Sequence, residues 1–280
     1  MAEGDAEARL VSGDAALVVF LPDAARARLI GPVERWTRER TGCAPIARAS
    51  VSIPEPVLRR FYPGVAEKVP DGWPVFARLF EAGPCLVTLW AGPAAAQRLP
   101  RVKGATHPAH CASTTIRGRF WCDNPTANLV HVSDDGDDAL RELEVLRSLS
   151  PSLLRGPLSD APIELHPVAE APVPVHSAVW TLSSRVKTHL AHRGRDAPDL
   201  VLPDTGDARE TMLRAEAWLS RVADDAASPL RDAIDGYLSG TASPSDLIDA
   251  SRTTGPVDAW EALILSAGAL TRGAWLEGRG

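Results

Sequence analysis

The stretch Lys103–Leu146, KGATHPAHCASTTIRGRFWCDNPTANLVHVSDDGDDALRELEVL, decides how the chain is read, and His131 lies at its centre. The apolar run Ala127-Asn128-Leu129-Val130 predicts a short strand that delivers His131 at its end, just before the turn-forming Ser133-Asp134-Asp135-Gly136. From Asp137 onward Ala139, Leu140, Leu143, Leu146 and Leu149 recur at helical spacing. Asp135, Asp137 and Asp138 crowd the start of that helix, where carboxylates suit the positive end of the dipole. Strand, histidine, acidic turn and helix thus follow one another.

Upstream, Thr114-Thr115-Ile116-Arg117-Gly118-Arg119-Phe120 sets cations and hydroxyls beside a glycine, a mixture suited to holding phosphate oxygens by charge-assisted hydrogen bonds. A phosphate site near a histidine points to phosphoryl transfer. A neutral imidazole can attack phosphorus and form a covalent intermediate, which divides one transfer into two easier steps.

TTIRGRF followed by NLVHVSDD resembles the signature of the nucleoside diphosphate kinase family, TIRGDF followed by NxxHGSD. Gly104-Ala105-Thr106-His107-Pro108-Ala109 is similar to that family's GxTxPxxA segment. LVVFLPDAARARLIGPVERW, beginning near Ala15, resembles its first strand and helix, and Gly83-Pro84-Cys85-Leu86-Val87 resembles its GPVxxx strand. The likeness spans the first 150 residues or so, in the family's order.

The resemblance implies ping-pong transfer, with His131 taking the γ-phosphate of ATP or another nucleoside triphosphate and handing it to a nucleoside diphosphate. By the same resemblance Arg117 and Thr106 would hold phosphate oxygens, Asn128 would contact the sugar hydroxyl, and Ser133 and Glu142 would orient the histidine. Such a carboxylate is apt on first principles, because accepting one imidazole proton leaves the other ring nitrogen able to attack. Magnesium (Mg2+) would arrive with the nucleotide, bridging its phosphates rather than filling a cage of protein ligands. Tyr62 would match a family tyrosine, and a base-stacking aromatic would be Trp73 or be absent. A family arginine a few residues before Gly104 has Arg101 and Arg98 as neighbours, both out of register. A homo-oligomer is also implied.

Departures stand beside these matches. Leu21 occupies the place of the family lysine before Pro-Asp, which touches the transferred phosphate. Losing one cation there would cost about 2–4 kcal/mol of barrier, by analogy with deleting one oxyanion donor. Lys103, Arg119 and Arg26 are the candidate substitutes. Val132 replaces the glycine after the histidine, adding a side chain to a turn that would want backbone freedom, and Arg119 replaces an aspartate.

A net charge of -6 and a pI near 5.7 argue against a general nucleic-acid binder. No apolar run reaches the length of a membrane span, and MAEGDAEARL lacks the layout of a signal peptide, which points to a cytoplasmic protein without membrane partners. The four cysteines lack close paired spacing and fit reduced thiols. His107, His110, Cys111 and Cys122 are zinc-compatible types, but their spacing matches no strong zinc pattern.

In chain order, residues 1–13 read as a loose acidic lead, Ala15–Leu21 as a central strand, Leu29–Thr41 as a helix and Ala44–Ile53 as the second strand. Pro54 opens a helix carrying Val57, Leu58 and Phe61, Trp73–Ala82 is another, and Cys85–Trp90 is the third strand. The fold class is therefore α+β, a ferredoxin-like antiparallel sandwich with helices on one face of the sheet, followed by a smaller all-α domain. Residues 1–150 form the first domain, the Pro-rich 151–175 a linker or wrapping arm, and 176–280 the helical domain.

In that second domain helices are expected over Val179–His192, after a capping box at Asp207–Glu210, over Leu230–Leu238, from Ser243-Pro244, and from Gly255-Pro256 to about Leu270. Trp218, Trp260 and Trp275 would anchor its packing.

Three functions fit. The first is phosphohistidine transfer between nucleotides. The second is a related kinase for a specialised small-molecule acceptor, favoured by Leu21, Val132, Arg119 and the extension. The third is a nucleotide-binding module without catalysis, against which stands the retained nucleophile with its orienting pair.

Overall fold

The computed structural model describes residues 3–107, 110–120, 122–154, 175–201, 208–222 and 229–270. Its chain divides into two compact units, Met1–Pro172 and Val173–Gly280.

The first unit runs α1 (Glu3–Ser12), β1 (Ala15–Phe20), α2 (Pro22–Arg26), α3 (Ile30–Thr41), β2 (Ala44–Val51), α4 (Glu55–Phe61), α5 (Val65–Lys68), α6 (Trp73–Glu81), β3 (Cys85–Ala91), α7 (Ala95–Lys103), α8 (Ile116–Arg119), β4 (Val130–Val132) and α9 (Gly136–Arg147). The four strands form an antiparallel sheet in the order β2-β3-β1-β4, which is the ferredoxin-like arrangement. β1, AALVVF, is wholly apolar and β3, CLVTLWA, is apolar but for the buried Thr88, neither alternating, because both of their faces are covered. Ala16, Val18 and Phe20 of β1 pack with Val130, Val132, Val33 of α3 and Leu99 of α7. The alternate residues Leu17 and Val19 are equally buried on the other side, where α1 and α9 contact β1 and α4 packs on α9. Helices thus cover both faces of the sheet, not one.

The expected loose lead is the ordered helix α1. Ala6 and Leu10, four residues apart and on one helical face, are buried, and Glu7 pairs with Arg147 of α9 at 2.6 Å. Gly136 permits this packing, since a Cβ there would lie 2.5 Å from the Leu10 carbonyl oxygen.

The second unit contains α10 (Val175–His192), α11 (Ala208–Leu219), α12 (Pro229–Ser239), α13 (Pro244–Ser251) and α14 (Ala259–Ala269). Trp218, Tyr237 and Trp260 are buried in it, with Tyr237 donating to the Leu265 carbonyl at 2.8 Å. Ser243 and Asp246 form a capping box on α13. The last helix begins at Ala259, later than Gly255-Pro256 suggests, because the Asp258 side chain caps it by accepting from Glu261 N at 2.7 Å. Asp207, Trp275 and most of the Pro-rich segment lie outside the described residues. All four cysteines are unpaired thiols. Among the described residues no helix is long and apolar enough to cross a membrane.

Candidate active site

The segment expected to be a strand up to Val130 is mostly a folded loop. Asn124 Oδ1 accepts from Thr126 N at 3.0 Å and Ala127 N at 2.7 Å, and Leu129 turns with a positive φ of 71°. Asp23 Oδ2 fixes that turn by accepting from Leu129 N at 2.9 Å. β4 is therefore only three residues long, and His131 sits in its middle, opposite Val19, rather than at its end.

Strand alternation then sets the histidine's direction. Val130 and Val132 enter the core shared with α3 and α7, so the imidazole projects to the opposite face, toward α4 and α9. Val132 pairs with Val18 and is buried, so the side chain it adds fills core and strains no turn. Phe61 and Tyr62 meet the imidazole edge to face, with ring centroids 5.2 Å and 5.1 Å away. Burial, and secondarily the charge of Glu142, holds the Tyr62 phenol well above the usual tyrosine range.

Glu142 approaches from α9, whose first turn is capped by Asp135 accepting from Asp138 N at 2.8 Å. Helical spacing puts Glu142 on the same buried face as Ala139, Leu143 and Leu146. Its Oε2 stands 2.9 Å from His131 Nε2 and accepts from Ser133 Oγ at 2.5 Å. With the glutamate 4 % and the histidine 17 % exposed, the pair is shielded while the imidazole retains an opening. A carboxylate acceptor at Nε2 holds the proton there and leaves the Nδ1 lone pair available.

Arg117 is 5 % exposed, and all five of its N–H donors are engaged with protein oxygens. Nε donates to Asn128 O at 3.2 Å, and Nη1 to Gly104 O at 3.4 Å and Ala105 O at 3.0 Å. Nη2 donates to Asn128 Oδ1 at 3.0 Å and Val130 O at 2.7 Å. The expected phosphate ligand is thus, in this structure, a strut joining the loop after α7 to the chain entering β4. Asn128 is spent similarly, its Nδ2 donating to Pro125 O at 2.7 Å. Thr106 and Arg101 are exposed around the end of α7, whereas Arg98 turns away to donate to Thr41 O at 2.8 Å.

Trp73 is buried, donates to Glu55 Oε1 at 3.0 Å and has Arg59 over its ring at 5.0 Å, so its face is already occupied. Leu21 is buried at the start of α2, its N donating to Leu129 O at 2.9 Å. Lys103 ends α7, and its Nζ donates to Val132 O at 3.1 Å and to Asp134 Oδ1 at 3.3 Å. The rings of His107 and His110 stand 5.3 Å apart, and Cys111 Sγ lies 3.7 Å from His107 O. Among the described residues no three His, Cys, Asp or Glu side chains group as metal ligands.

Sequence reasoning missed Asp23. It is 3 % exposed, its Oδ1 has no hydrogen-bond partner among the described residues, and burial pushes its carboxyl up to about 6. Its place beside the helix-opening Pro22 was the available signal.

Residues 14–148 match the family model for nucleoside diphosphate kinase. Over 131 residues the chain is 32% identical to a nucleoside diphosphate kinase of Symbiobacterium thermophilum, covering 46% of this chain and 83% of that one. Over 125 residues it is 34% identical to nucleoside diphosphate kinase 3 of Homo sapiens, covering 44% and 70%. A solved structure of a nucleoside diphosphate kinase family protein from Babesia bovis is similar at a TM-score of 0.44 and 23% identity, covering 54% of this chain and 96% of that chain.

Proposed function

The chain belongs to the nucleoside diphosphate kinase family, whose membership supports nucleotide phosphotransferase activity, and from that premise we propose that it moves the γ-phosphate of a nucleoside triphosphate to a nucleoside diphosphate through a phosphohistidine at His131. The observation that carries this reading is the Ser133–Glu142–His131 chain of hydrogen bonds, which leaves Nδ1 without a partner among the described residues. Nδ1 attacks the γ-phosphorus, the N–P bond forms as the bond to the bridging oxygen breaks, and that oxygen leaves with the electron pair on the nucleoside diphosphate. A second diphosphate then reverses the step. Glu142 stabilises the positive charge that develops on the ring, and Ser133 keeps Glu142 in place.

Magnesium belongs to the incoming nucleotide, where it neutralises phosphate charge. The exposed Thr106 and Arg101 are proposed to meet the nucleotide's phosphates, and Tyr62 to buttress the imidazole. Arg117 and Asn128 are proposed to shape the phosphate and sugar subsites by fixing the loops that line them, with direct contact requiring Arg117 to exchange a carbonyl for a phosphate oxygen. Self-association and a cytoplasmic setting are part of the same proposal.

A second reading, phosphorylation of a different small-molecule acceptor, is favoured by Leu21 and by the covered face of Trp73, which would not stack a base. One assay separates the two. With ATP and magnesium as donor, the proposal expects GDP, CDP, UDP and dTDP each to become triphosphates with parallel double-reciprocal lines. A phosphoenzyme that discharges to none of them would favour the second reading.

A further inference from the structure

The outer edge of β4 carries two cations, held on the carbonyls of the residues on either side of His131. Ser133 N donates to Leu17 O and Leu21 N to Leu129 O, so residues 129, 131 and 133 face β1. The alternate carbonyls of Val130 and Val132 consequently point away from the sheet. Arg117 takes the first, and Lys103 the second, so they flank the histidine from its two neighbours. Arg117 has no donor left. Lys103 has one, because among the described residues only Val132 O and Asp134 Oδ1 meet the three N–H groups of its ammonium.

We propose that Lys103 is the cation that holds the phosphoryl group at His131, serving where Leu21 offers none, by exchanging Asp134 for a phosphate oxygen. This rests on the phosphohistidine reading. Asp134 is 78 % exposed, so its pairing with Lys103 is weak and easily given up, whereas the Lys103 side chain is only 15 % exposed. A largely desolvated ammonium acts strongly on charge developing beside it. Burial pulls the lysine's proton affinity down, Asp134 opposes this, Arg117 adds to it, and Glu142 opposes it least. Arg119, one of the two other candidate substitutes, lies over the ring of Trp36 at 6.0 Å. No proton moves to or from Lys103. It donates one hydrogen bond while the N–P bond forms and the P–O bond breaks.

The test is single-turnover phosphorylation of the full chain by labelled ATP with magnesium, followed by rapid quenching. Lys103→Gln keeps a donor for Val132 O and removes the charge, and Lys103→Arg keeps both. The proposal expects Lys103→Gln to slow phosphorylation by about a hundredfold, the scale of one lost transition-state donor, at an unchanged ATP dissociation constant. Lys103→Arg should recover to within about tenfold of the parent. Lys103→Gln phosphorylating at the parent rate overturns the role of Lys103 while leaving the phosphohistidine. A parent chain that never labels overturns both.

Discussion

His131 Nε2 and Glu142 Oε2 stand 2.9 Å apart, so the carboxylate fixes which ring nitrogen holds the proton. Glu142→Gln should therefore fold normally yet transfer phosphate about 10²–10⁴-fold more slowly, because an amide can donate to Nε2 and move the ring proton onto the attacking nitrogen. Steady-state transfer beside a thermal melt checks this. Parent-like turnover would show that Glu142 does not set the tautomer.

Ser133→Ala removes the hydroxyl that donates to Glu142 Oε2 at 2.5 Å inside the protein. A buried carboxylate oxygen deprived of a donor should lower stability by about 1–3 kcal/mol, with a smaller effect on transfer than Glu142→Gln. Urea unfolding of the two proteins reads the difference directly.

Asp23 gives the unit a pH dependence of known sign. Its carboxyl is raised from 3.8 to about 6 by burial, against which the hydrogen bond from Leu129 N works. The folded protein thus binds this proton more tightly than the unfolded chain, and the contribution to stability is lost as pH rises from about 4 to about 6. Asp23→Asn, neutral throughout, should match the parent near pH 4 and exceed it by up to about 3 kcal/mol above pH 6. Urea midpoints at the two ends of that window check it. A difference that does not grow with pH would mean that Asp23 ionises without penalty.

Arg117→Lys tests whether this cation is chiefly a strut. Lysine keeps the charge but has three donors for five acceptors, so the loop after α7 and the entry to β4 should loosen at a cost of about 2–4 kcal/mol. A melting temperature equal to the parent's would contradict the strut role.

Much of this was legible because periodicity and punctuation are local. The run AALVVF, the helix ending at Thr41, the Ser243-Pro244 start of α13 and the helix read from Asp137 are written in neighbouring residues. His131, Ser133 and Glu142 were singled out together by the family resemblance rather than by their spacing, and the nine positions of strand end, turn and helix that separate Ser133 from Glu142 do bring the two together. What escaped was decided at long range. The helix α1 depends on partners in α9 more than a hundred residues away, and the late start of β4 depends on Asp23 reaching Leu129. The engagement of Arg117 was equally invisible, since its acceptors are backbone carbonyls, which no side-chain pattern announces. Covering both sheet faces likewise follows from contacts across the fold, although the unbroken apolar run of β1 hinted at it.

The most direct test of the central claim is to incubate the chain with γ-labelled ATP and magnesium, quench at alkaline pH and map the label beside His131→Ala. Phosphohistidine transfer predicts an acid-labile, alkali-stable label on the peptide carrying His131, absent from the variant and discharged by added diphosphate. A label that survives in His131→Ala, or a parent that binds ATP and never takes up label, would contradict it.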